Sequence, residues 1–184
     1  MASPFDAQYN DIRGKIVYYA NQYGLPANIG IWQIWYESNF RPTVCSGAGA
    51  CGIAQFMPAT ADRFGVNRND IDSSLNGWGK YMSWLLRQPY INGNISLALA
   101  GYNAGEGNVK KYGGIPPFTE TKSYVSKIMA AAGQAGNSIT PTGSSSPVIA
   151  TALPQAAGMF TKETVIIVLV GLGALAFINS RNDY

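Results

Sequence analysis

Acid–base chemistry in this chain must come from a carboxylate, tyrosine, lysine or cysteine, because none of its 184 residues is a histidine. The lack of histidine excludes Ser-His-Asp and Cys-His nucleophile systems and histidine-containing zinc or iron sites. Among four glutamates, Glu37 lies close in sequence to Trp32, Trp35, Tyr36 and Phe40. Aromatic neighbours and the carboxyl end of a helix both raise the pKa of a carboxyl group, as a general acid for a glycosidic oxygen requires. An ordinary glutamate at a helix end, pointing at water, would show the same local pattern.

The elements that must position Glu37 are predicted to be helices separated by glycine-rich loops, so the predicted fold class is all-α. Pro26 occupies a favoured first-turn position for a helix that runs to Ser38 and places Glu37 at its carboxyl end. Asp72 is the expected N-cap of a later helix. The spacing of apolar residues and the positions of helix stop signals predict helices over residues 5–23, 26–38, 58–64, 73–88, 94–101 and 119–132.

The two cysteines are predicted to form a local disulfide. Cys45 and Cys51 flank the segment Ser-Gly-Ala-Gly-Ala, whose glycines and small side chains let the loop close on itself. A disulfide would imply an oxidising compartment, whereas two reduced thiols in a cytosolic protein are the alternative. Two cysteines without histidine are too few for a structural zinc site, and neither a metal nor a cofactor is expected.

Charge and composition limit the classes of partner. The formal net charge is +3, charged residues make up 12% of the chain and hydrophobic residues make up 47%. Such a chain is too apolar for a disordered protein, and it lacks the basic footprint of a nucleic-acid-binding protein. No nucleic acid is therefore expected among its partners.

The carboxyl-terminal part of the chain differs in composition from the rest. An uncharged stretch rich in Gly, Ser, Thr, Pro and Ala is typical of a flexible linker over residues 134–161. The apolar run between Glu163 and Arg181 would be about 25 Å long as a helix, so residues 162–184 are predicted to form a transmembrane anchor. A buried core helix is the alternative, although no second apolar segment is available to pack against it.

Three motifs follow one another along the chain. The first begins at Glu37 with Glu-Ser-Asn-Phe-Arg-Pro and continues from Gly49 with Gly-Ala-Cys-Gly-Ile-Ala-Gln-Phe-Met-Pro-Ala-Thr-Ala. The second begins at Ala98 with Ala-Leu-Ala-Gly-Tyr-Asn-Ala-Gly-Glu-Gly-Asn-Val, and the third begins at Pro117 with Pro-Phe-Thr-Glu-Thr, followed by Tyr124 and a valine. Together the motifs resemble the catalytic domain of the soluble lytic transglycosylases, goose-lysozyme-like enzymes that cut peptidoglycan.

The resemblance implies a lysozyme-like catalytic domain over residues 1–133 in which Glu37 is the single catalytic glutamate. It also implies that the Tyr102 hydroxyl lies near this carboxylate. The chain departs from the family at Ala54, where methionine is usual, and in the cysteines that bracket Ser46, which are not a general family feature. The substrate-binding residues implied by the resemblance are Ser46, Gln55, Phe56, Tyr102, Asn103 and Glu120.

The resemblance further implies a reaction. Glu37 would protonate the bond between N-acetylmuramic acid and N-acetylglucosamine, then accept the proton of the muramyl 6-hydroxyl, so that 1,6-anhydromuramic acid forms. A hydrolytic muramidase would instead use a second carboxylate, for which Asp62, Asp70 and Asp72 are the nearest candidates in sequence. A non-catalytic glycan-binding structural protein of a virion or membrane is a third interpretation.

The amino-terminal residues, from Met1 to Asp6, lack the basic start and apolar core of a secretory signal. We therefore expect an enzyme that is carried to the cell wall in a phage particle, on an internal membrane or entry apparatus, and opens peptidoglycan during genome entry. A cellular tail-anchored enzyme is the alternative. The expected partners are glycan strands, a membrane through the carboxyl-terminal helix, and virion or cell-envelope machinery.

Overall fold

The computed structural model describes residues 3–137. Most of the linker predicted over 134–161 and all of the anchor predicted over 162–184 lie outside these residues, so both stay predictions. Within residues 3–137, no helix combines the length and the apolarity needed to cross a bilayer.

All regular elements of the described residues are helical, which confirms the all-α prediction. Extended pairing there is limited to isolated bridges that join Cys51 to Cys45 and to Phe56. A 3-10 turn at Ala7–Tyr9 precedes the α-helices α1 Asn10–Gln22, α2 Ala27–Ser38, α3 Pro58–Phe64, α4 Ile71–Leu86, α5 Ile95–Ala104, α6 Glu106–Tyr112 and α7 Thr119–Asn137.

Helix α4 begins two residues earlier than predicted, and the prediction that Asp72 is its N-cap was wrong. Asp70 has an extended backbone, and its Oδ1 atom accepts a hydrogen bond of 2.6 Å from the Ser73 amide. Asp72 lies inside the helix, where its carboxylate forms an ion pair of 2.6 Å with Lys15 of α1. The first aspartate caps the helix because it precedes the orphan amides by the spacing that a side-chain acceptor needs.

Two further differences concern short and glycine-containing helices. Helix α6 was not predicted, because it has only seven residues between Gly105 and Gly113, which both have positive φ angles. Helix α7 was predicted to end at Gly133 but continues to Asn137. It packs against α2 and α5, and such tertiary packing outweighs the weak helix propensity of one glycine.

The core lies where α2 packs against α1 and α7, and where α5 packs against α4, α6 and α7. Trp78 of α4 is fully buried and reaches the surface of α2. Gly30 permits this approach, because a Cβ atom at its position would lie 2.5 Å from the Trp78 ring. The close contact holds α4 against the helix that carries Glu37.

Candidate active site

Helix α2 ends at Ser38, one residue after Glu37, because the two residues after Ser38 leave the helical conformation. Asn39 and Phe40 both adopt left-handed backbone angles, with φ values of 52° and 59°. Asparagine tolerates this conformation, whereas phenylalanine rarely adopts it. Phe40 is held there by burial, since its ring lies edge-on to Trp35 and Tyr9 at centroid distances of 5.2 and 5.3 Å. Glu37 is thereby fixed in the last turn of α2.

The segment 44–56, named here the disulfide loop, is attached to both α2 and α5. The Ser38 hydroxyl donates a hydrogen bond of 2.7 Å to the Ile53 carbonyl, and the Tyr102 hydroxyl donates one of 2.7 Å to the Ala54 carbonyl. These bonds place the loop between the end of the Glu37 helix and the Tyr-Asn-Ala-Gly motif.

The interior of the disulfide loop is cross-linked covalently and by hydrogen bonds. Cys45 and Cys51 form the predicted disulfide. Gln55, at a positive φ of 49°, donates from Nε2 to the carbonyls of Val44 at 2.8 Å and Gly52 at 2.9 Å. The Gln55 amide nitrogen therefore holds the loop, and only its oxygen is left for a ligand.

Ser46 lies in the exposed part of the disulfide loop. Its Oγ atom accepts a hydrogen bond of 3.1 Å from the Ala50 amide, and its own amide donates to the Ala50 carbonyl at 2.8 Å. The hydroxyl proton is not used in these bonds. Ser46 can therefore donate a hydrogen bond outward, from a position that the disulfide fixes.

The Glu37 carboxyl group is partly enclosed by helices distant in sequence. Tyr124 of α7 donates a hydrogen bond of 2.5 Å from its hydroxyl to Glu37 Oε1. Burial raises the pKa of Glu37 to about 7, the Tyr124 hydrogen bond opposes that rise, and the charge of Glu120 adds to it. Glu37 can therefore be protonated or ionised near neutral pH, as one group that serves as acid and then as base requires.

Two tyrosines share the surroundings of Glu37 but have different partners. The hydroxyl of Tyr102, expected near the carboxylate, is bonded to the Ala54 carbonyl. Burial and then the charge of Glu37 raise the pKa of Tyr102. The direct hydrogen-bond donor is Tyr124, a role that the sequence interpretation did not assign. The only sequence signal was the position of Tyr124 at the end of the third motif.

The other expected binding residues divide into exposed and supporting ones. Glu120 is exposed in the first turn of α7. Asn103 is half-buried, and its Oδ1 atom accepts a hydrogen bond of 2.8 Å from the buried Thr121 hydroxyl. The expected substrate contact of Phe56 needs correction, because this side chain is only 2% exposed and packs in the core against Tyr102. Phe56 supports the site from below.

Two of the three aspartates proposed for a hydrolytic mechanism have structural partners, and the third, Asp62, is exposed on α3. Asp70 caps α4, and Asp72 is paired with Lys15. Among the described residues, Glu120 is the one carboxylate whose charge acts on the pKa of Glu37. A second acidic group at this site would therefore have to be Glu120.

Sequence comparisons identify a matching family model and similar proteins. The family model described as Transglycosylase SLT domain matches residues 15–125. The chain is 34% identical over 132 residues to the transglycosylase of Enterobacteria phage PRD1, which covers 69% of this chain and 46% of that protein. It is 32% identical over 114 residues to membrane-bound lytic murein transglycosylase D of Escherichia coli strain K12, covering 51% and 25%. The chain thus spans less than half the length of either relative.

Solved structures show a similar helical domain. An inactive mutant of the lytic transglycosylase Slt from Pseudomonas aeruginosa matches with a TM-score of 0.57 and 30% identity, over 68% of this chain and 24% of that one. A complex of the 70-kDa soluble lytic transglycosylase with bulgecin A matches with a TM-score of 0.61 and 25% identity, over 72% and 25%. With its family-model match over most of the described helices, this chain belongs to the SLT transglycosylase domain family.

Proposed function

We propose that the chain is a peptidoglycan lytic transglycosylase that cleaves the β-1,4 bond between N-acetylmuramic acid and N-acetylglucosamine. The observation that carries the proposal is the carboxyl group of Glu37, whose pKa is raised to about 7 by burial and whose Oε1 atom is held by Tyr124. The family match and the lytic transglycosylase relatives support this chemistry. The catalytic domain is assigned to residues 1–133.

In the proposed reaction Glu37 first protonates the glycosidic oxygen, which leaves on the N-acetylglucosamine side. The muramyl 6-hydroxyl then attacks the anomeric carbon and gives its proton to the Glu37 carboxylate. The new bond closes 1,6-anhydromuramic acid, no water is consumed, and Glu37 returns to its protonated state. A pKa near the working pH suits a group that must give and then take one proton.

The groups around Glu37 are proposed to bind the glycan strand. Ser46 can donate its hydroxyl proton outward, and Gln55 offers its side-chain oxygen at the other side of the disulfide loop. Glu120 is exposed and close enough to Glu37 to influence its pKa. Tyr102 and Asn103 are proposed to line the same groove from α5.

A hydrolytic muramidase is the second candidate, and Glu120 is the observation in its favour. A hydrolase commonly uses a second carboxylate to activate water or to form a covalent intermediate. Glu120 acts on the pKa of Glu37 and is accessible to solvent. The product separates the candidates, since hydrolysis leaves a reducing muramic acid end and transglycosylation leaves an anhydro end.

We place the enzyme on a membrane through residues 162–184, tethered by the linker over 134–161, and suggest a phage particle as its carrier during genome entry. The uncharged apolar run after Glu163 supports the anchor. The phage transglycosylase and the membrane-bound transglycosylase among its relatives support the setting. Flotation of the full chain with lipid vesicles, compared with a variant carrying Asp in place of Leu172, would test the anchor directly.

The reaction is tested by mass analysis of the muropeptides that the full chain releases from purified peptidoglycan. We expect anhydromuramyl ends from the wild type and from Glu120→Gln, and strongly reduced release by Glu37→Gln. Reducing ends that disappear in Glu120→Gln would establish the hydrolase instead. Binding to peptidoglycan without release of any product would leave only a glycan-binding module.

A further inference from the structure

Arg41 is an exposed cation that the proposed reaction does not use. It lies four residues after Glu37, in the turn that follows α2. Its backbone amide and its side-chain Nε atom both donate to the Ser38 carbonyl, at 3.1 and 3.0 Å. Pro42 follows and limits Arg41 to an extended backbone. The guanidinium group is therefore anchored at the end of the helix that carries Glu37.

The outer edge of the Arg41 guanidinium has no partner within residues 3–137. Its Nε atom is engaged, but neither Nη1 nor Nη2 takes part in a hydrogen bond or an ion pair there, and the group is not stacked on an aromatic ring of those residues. Every other arginine in this part of the chain donates a terminal nitrogen to a protein oxygen. These arginines are Arg13, Arg63, Arg68 and Arg87. Arg41 differs from them because it presents an anchored but unused pair of donors.

The residue that anchors Arg41 also fastens the disulfide loop. Ser38 offers its carbonyl to Arg41 and donates from its hydroxyl to the Ile53 carbonyl at 2.7 Å. Arg41 therefore lies where the end of the Glu37 helix meets the disulfide loop. It does not set the proton affinity of Glu37, since the influences on that pKa are burial and two groups of α7. The guanidinium is therefore available to an anion from outside the chain.

We propose that Arg41 binds a carboxylate of the peptide branch that muramic acid carries in peptidoglycan. A planar guanidinium with two free parallel N–H donors matches a carboxylate, which accepts both bonds at once. The branch ends in such a group, and acidic residues within it add others. The proposal rests on the proposed function, because the branch starts at the muramic acid whose glycosidic bond Glu37 would protonate.

The branch is long enough to reach from the reacting sugar to Arg41. Because Arg41 is four residues after Glu37, the Cα atoms of the two residues are at most about 14 Å apart. An extended branch of four residues spans about the same length. One peptidoglycan strand can therefore place its glycosidic bond at Glu37 and a branch carboxylate at Arg41 at the same time.

Exposed lysines are the competing cations. Lys110 and Lys111 lie side by side in the last turn of α6, and the Lys111 Nζ atom lies 5.3 Å from the centroid of the Tyr112 ring. A lysine carries a compact charge on a flexible chain, so an anion must order more of its side chain than at an anchored arginine. We expect these lysines to attract the acidic polymer in a way that salt screens, and Arg41 to recognise one carboxylate.

The first test compares two soluble substrates, uncrosslinked peptide-bearing glycan strands and the same strands with their peptide carboxylates converted to amides. Arg41→Gln should lower kcat/KM on the unmodified strands about tenfold, mainly through KM, because it removes a charged hydrogen bond away from the reacting atoms. On the amidated strands, kcat/KM should be the same for Arg41→Gln and the wild type. An equal loss on both substrates, or no loss on either, would overturn the proposal.

Two further variants separate paired hydrogen bonding from general attraction. Arg41→Lys keeps the charge but not the paired donors, so it should recover only part of the lost kcat/KM. Lys111→Gln removes one charge from α6 and should keep the ratio between the two substrates within about twofold of the wild-type ratio. A ratio lowered as far by Lys111→Gln as by Arg41→Gln would contradict the proposal. Circular dichroism of each variant checks that the fold is unchanged.

Binding is also measured without catalysis. The probe is the disaccharide N-acetylglucosaminyl-N-acetylmuramyl tetrapeptide, which lacks the bond that Glu37 would protonate, and the control is the same compound with amidated carboxylates. In the ¹⁵N NMR spectrum of the full chain, the Arg41 Nε–H signal is assigned by its absence in Arg41→Gln. This signal should shift with the probe and not with the control. Equal shifts with both compounds, or a shift with neither, would refute the proposal whether or not the chain cleaves peptidoglycan.

Discussion

Two glutamates of this protein occupy opposite helix ends and acquire opposite proton affinities. Glu37 lies in the last turn of α2 and accepts one hydrogen bond, from a neutral tyrosine. Glu106 begins α6 and accepts hydrogen bonds from Arg63 at 2.8 Å and from Tyr81 at 3.3 Å. The pKa of Glu37 is raised to about 7, whereas the pKa of Glu106 is lowered.

The cation and the helix end account for the difference. Burial acts to raise the pKa of both side chains, but at Glu106 the Arg63 guanidinium, the backbone amide of Glu106 itself and the Tyr81 hydroxyl outweigh it. An anion is also favoured at a helix amino terminus and disfavoured at a carboxyl terminus. Glu106 therefore stays ionised and ties α3 to α6, while Glu37 is left able to exchange a proton.

The largest expected contrast is in catalysis. Glu37→Gln should lower the initial rate of muropeptide release by about 10²–10⁴, the range for loss of a general acid or base. Glu106→Gln should stay within about threefold of the wild type, since an exposed ion pair contributes little to the site. Rates measured on one peptidoglycan preparation, with circular dichroism as a check on folding, give the comparison. Equal losses in both variants would remove the functional distinction between the two glutamates.

The second contrast is in the pH dependence of stability. Folding raises the pKa of Glu37 from 4.5 to about 7, so the native state binds this proton more tightly and loses stability as pH rises across that interval. The accumulated cost is about 3 kcal/mol above pH 7. Glu37→Gln should therefore be more stable than the wild type at pH 8, by up to this amount, and equal to it near pH 4.

Glu106→Gln should show the opposite sign. Because folding lowers the pKa of Glu106, this group stabilises the native state at pH values above the ordinary pKa of a glutamate. The stabilisation is lost as the pH falls through the native-state pKa of Glu106. The variant should be less stable than the wild type at pH 8 and approach it in acid. Urea unfolding of both variants from pH 4 to 8 provides the measurement. Curves that shift in parallel at every pH would contradict the assigned pKa directions.

The third test asks whether the disulfide loop affects the pKa of Glu37 without affecting the pKa of Glu106. Replacing Cys45 and Cys51 by serine opens a ring of seven residues, for which chain entropy predicts a loss of about 2 kcal/mol. The loop contacts the Glu37 region through Ser38 and Tyr102, whereas the side-chain partners of Glu106 within residues 3–137 are Arg63 and Tyr81. In an NMR titration of ¹³C-labelled glutamate carboxyl groups, the midpoint of Glu37 should therefore shift and the midpoint of Glu106 should stay constant.

The smallest expected effect concerns Arg63. Arg63→Met removes the ion pair with Glu106 and the stacking of the guanidinium over Trp84, 4.1 Å from the ring centroid. Because Arg63 is 47% exposed, we expect a loss of about 1 kcal/mol in the free energy of unfolding. The pKa of Glu106 should rise toward that of an ordinary glutamate while the titration of Glu37 stays the same. Thermal unfolding and the same NMR titration measure both effects.

The sequence predicted those parts of the site that depend on local pattern. The helix from 26 to 38, with Glu37 at its end, follows from Pro26 and the spacing of apolar residues, and the short helix Pro58–Phe64 was predicted with the observed bounds. The raised pKa was also predicted, but from aromatic neighbours in sequence. Among these, Trp35 and Phe40 pack against each other and Tyr36 is exposed.

The groups that enclose Glu37 could not be read from its neighbours. Tyr124 is 87 residues away, and only the packing of α7 against α2 brings its hydroxyl to the carboxylate. Phe56 was misjudged for a related reason, because a motif position does not show which face of a loop is buried. The sequence interpretation confused Asp70 and Asp72 because both aspartates lie close to the start of α4. Which of them caps the helix depends on the tertiary structure, since Lys15 of α1 forms an ion pair with Asp72 and leaves Asp70 as the cap.

The contact between Gly30 and Trp78 has a consequence for engineering. It fixes α2 in rotation as well as in position, since no side chain fits between the glycine and the indole ring. One residue inserted between Gly30 and Glu37 would turn the carboxylate by about 100° around the helix axis. Substitutions on the exposed side of α2 should therefore be tolerated where insertions are not, and a chimera should exchange α2 and α4 as one unit.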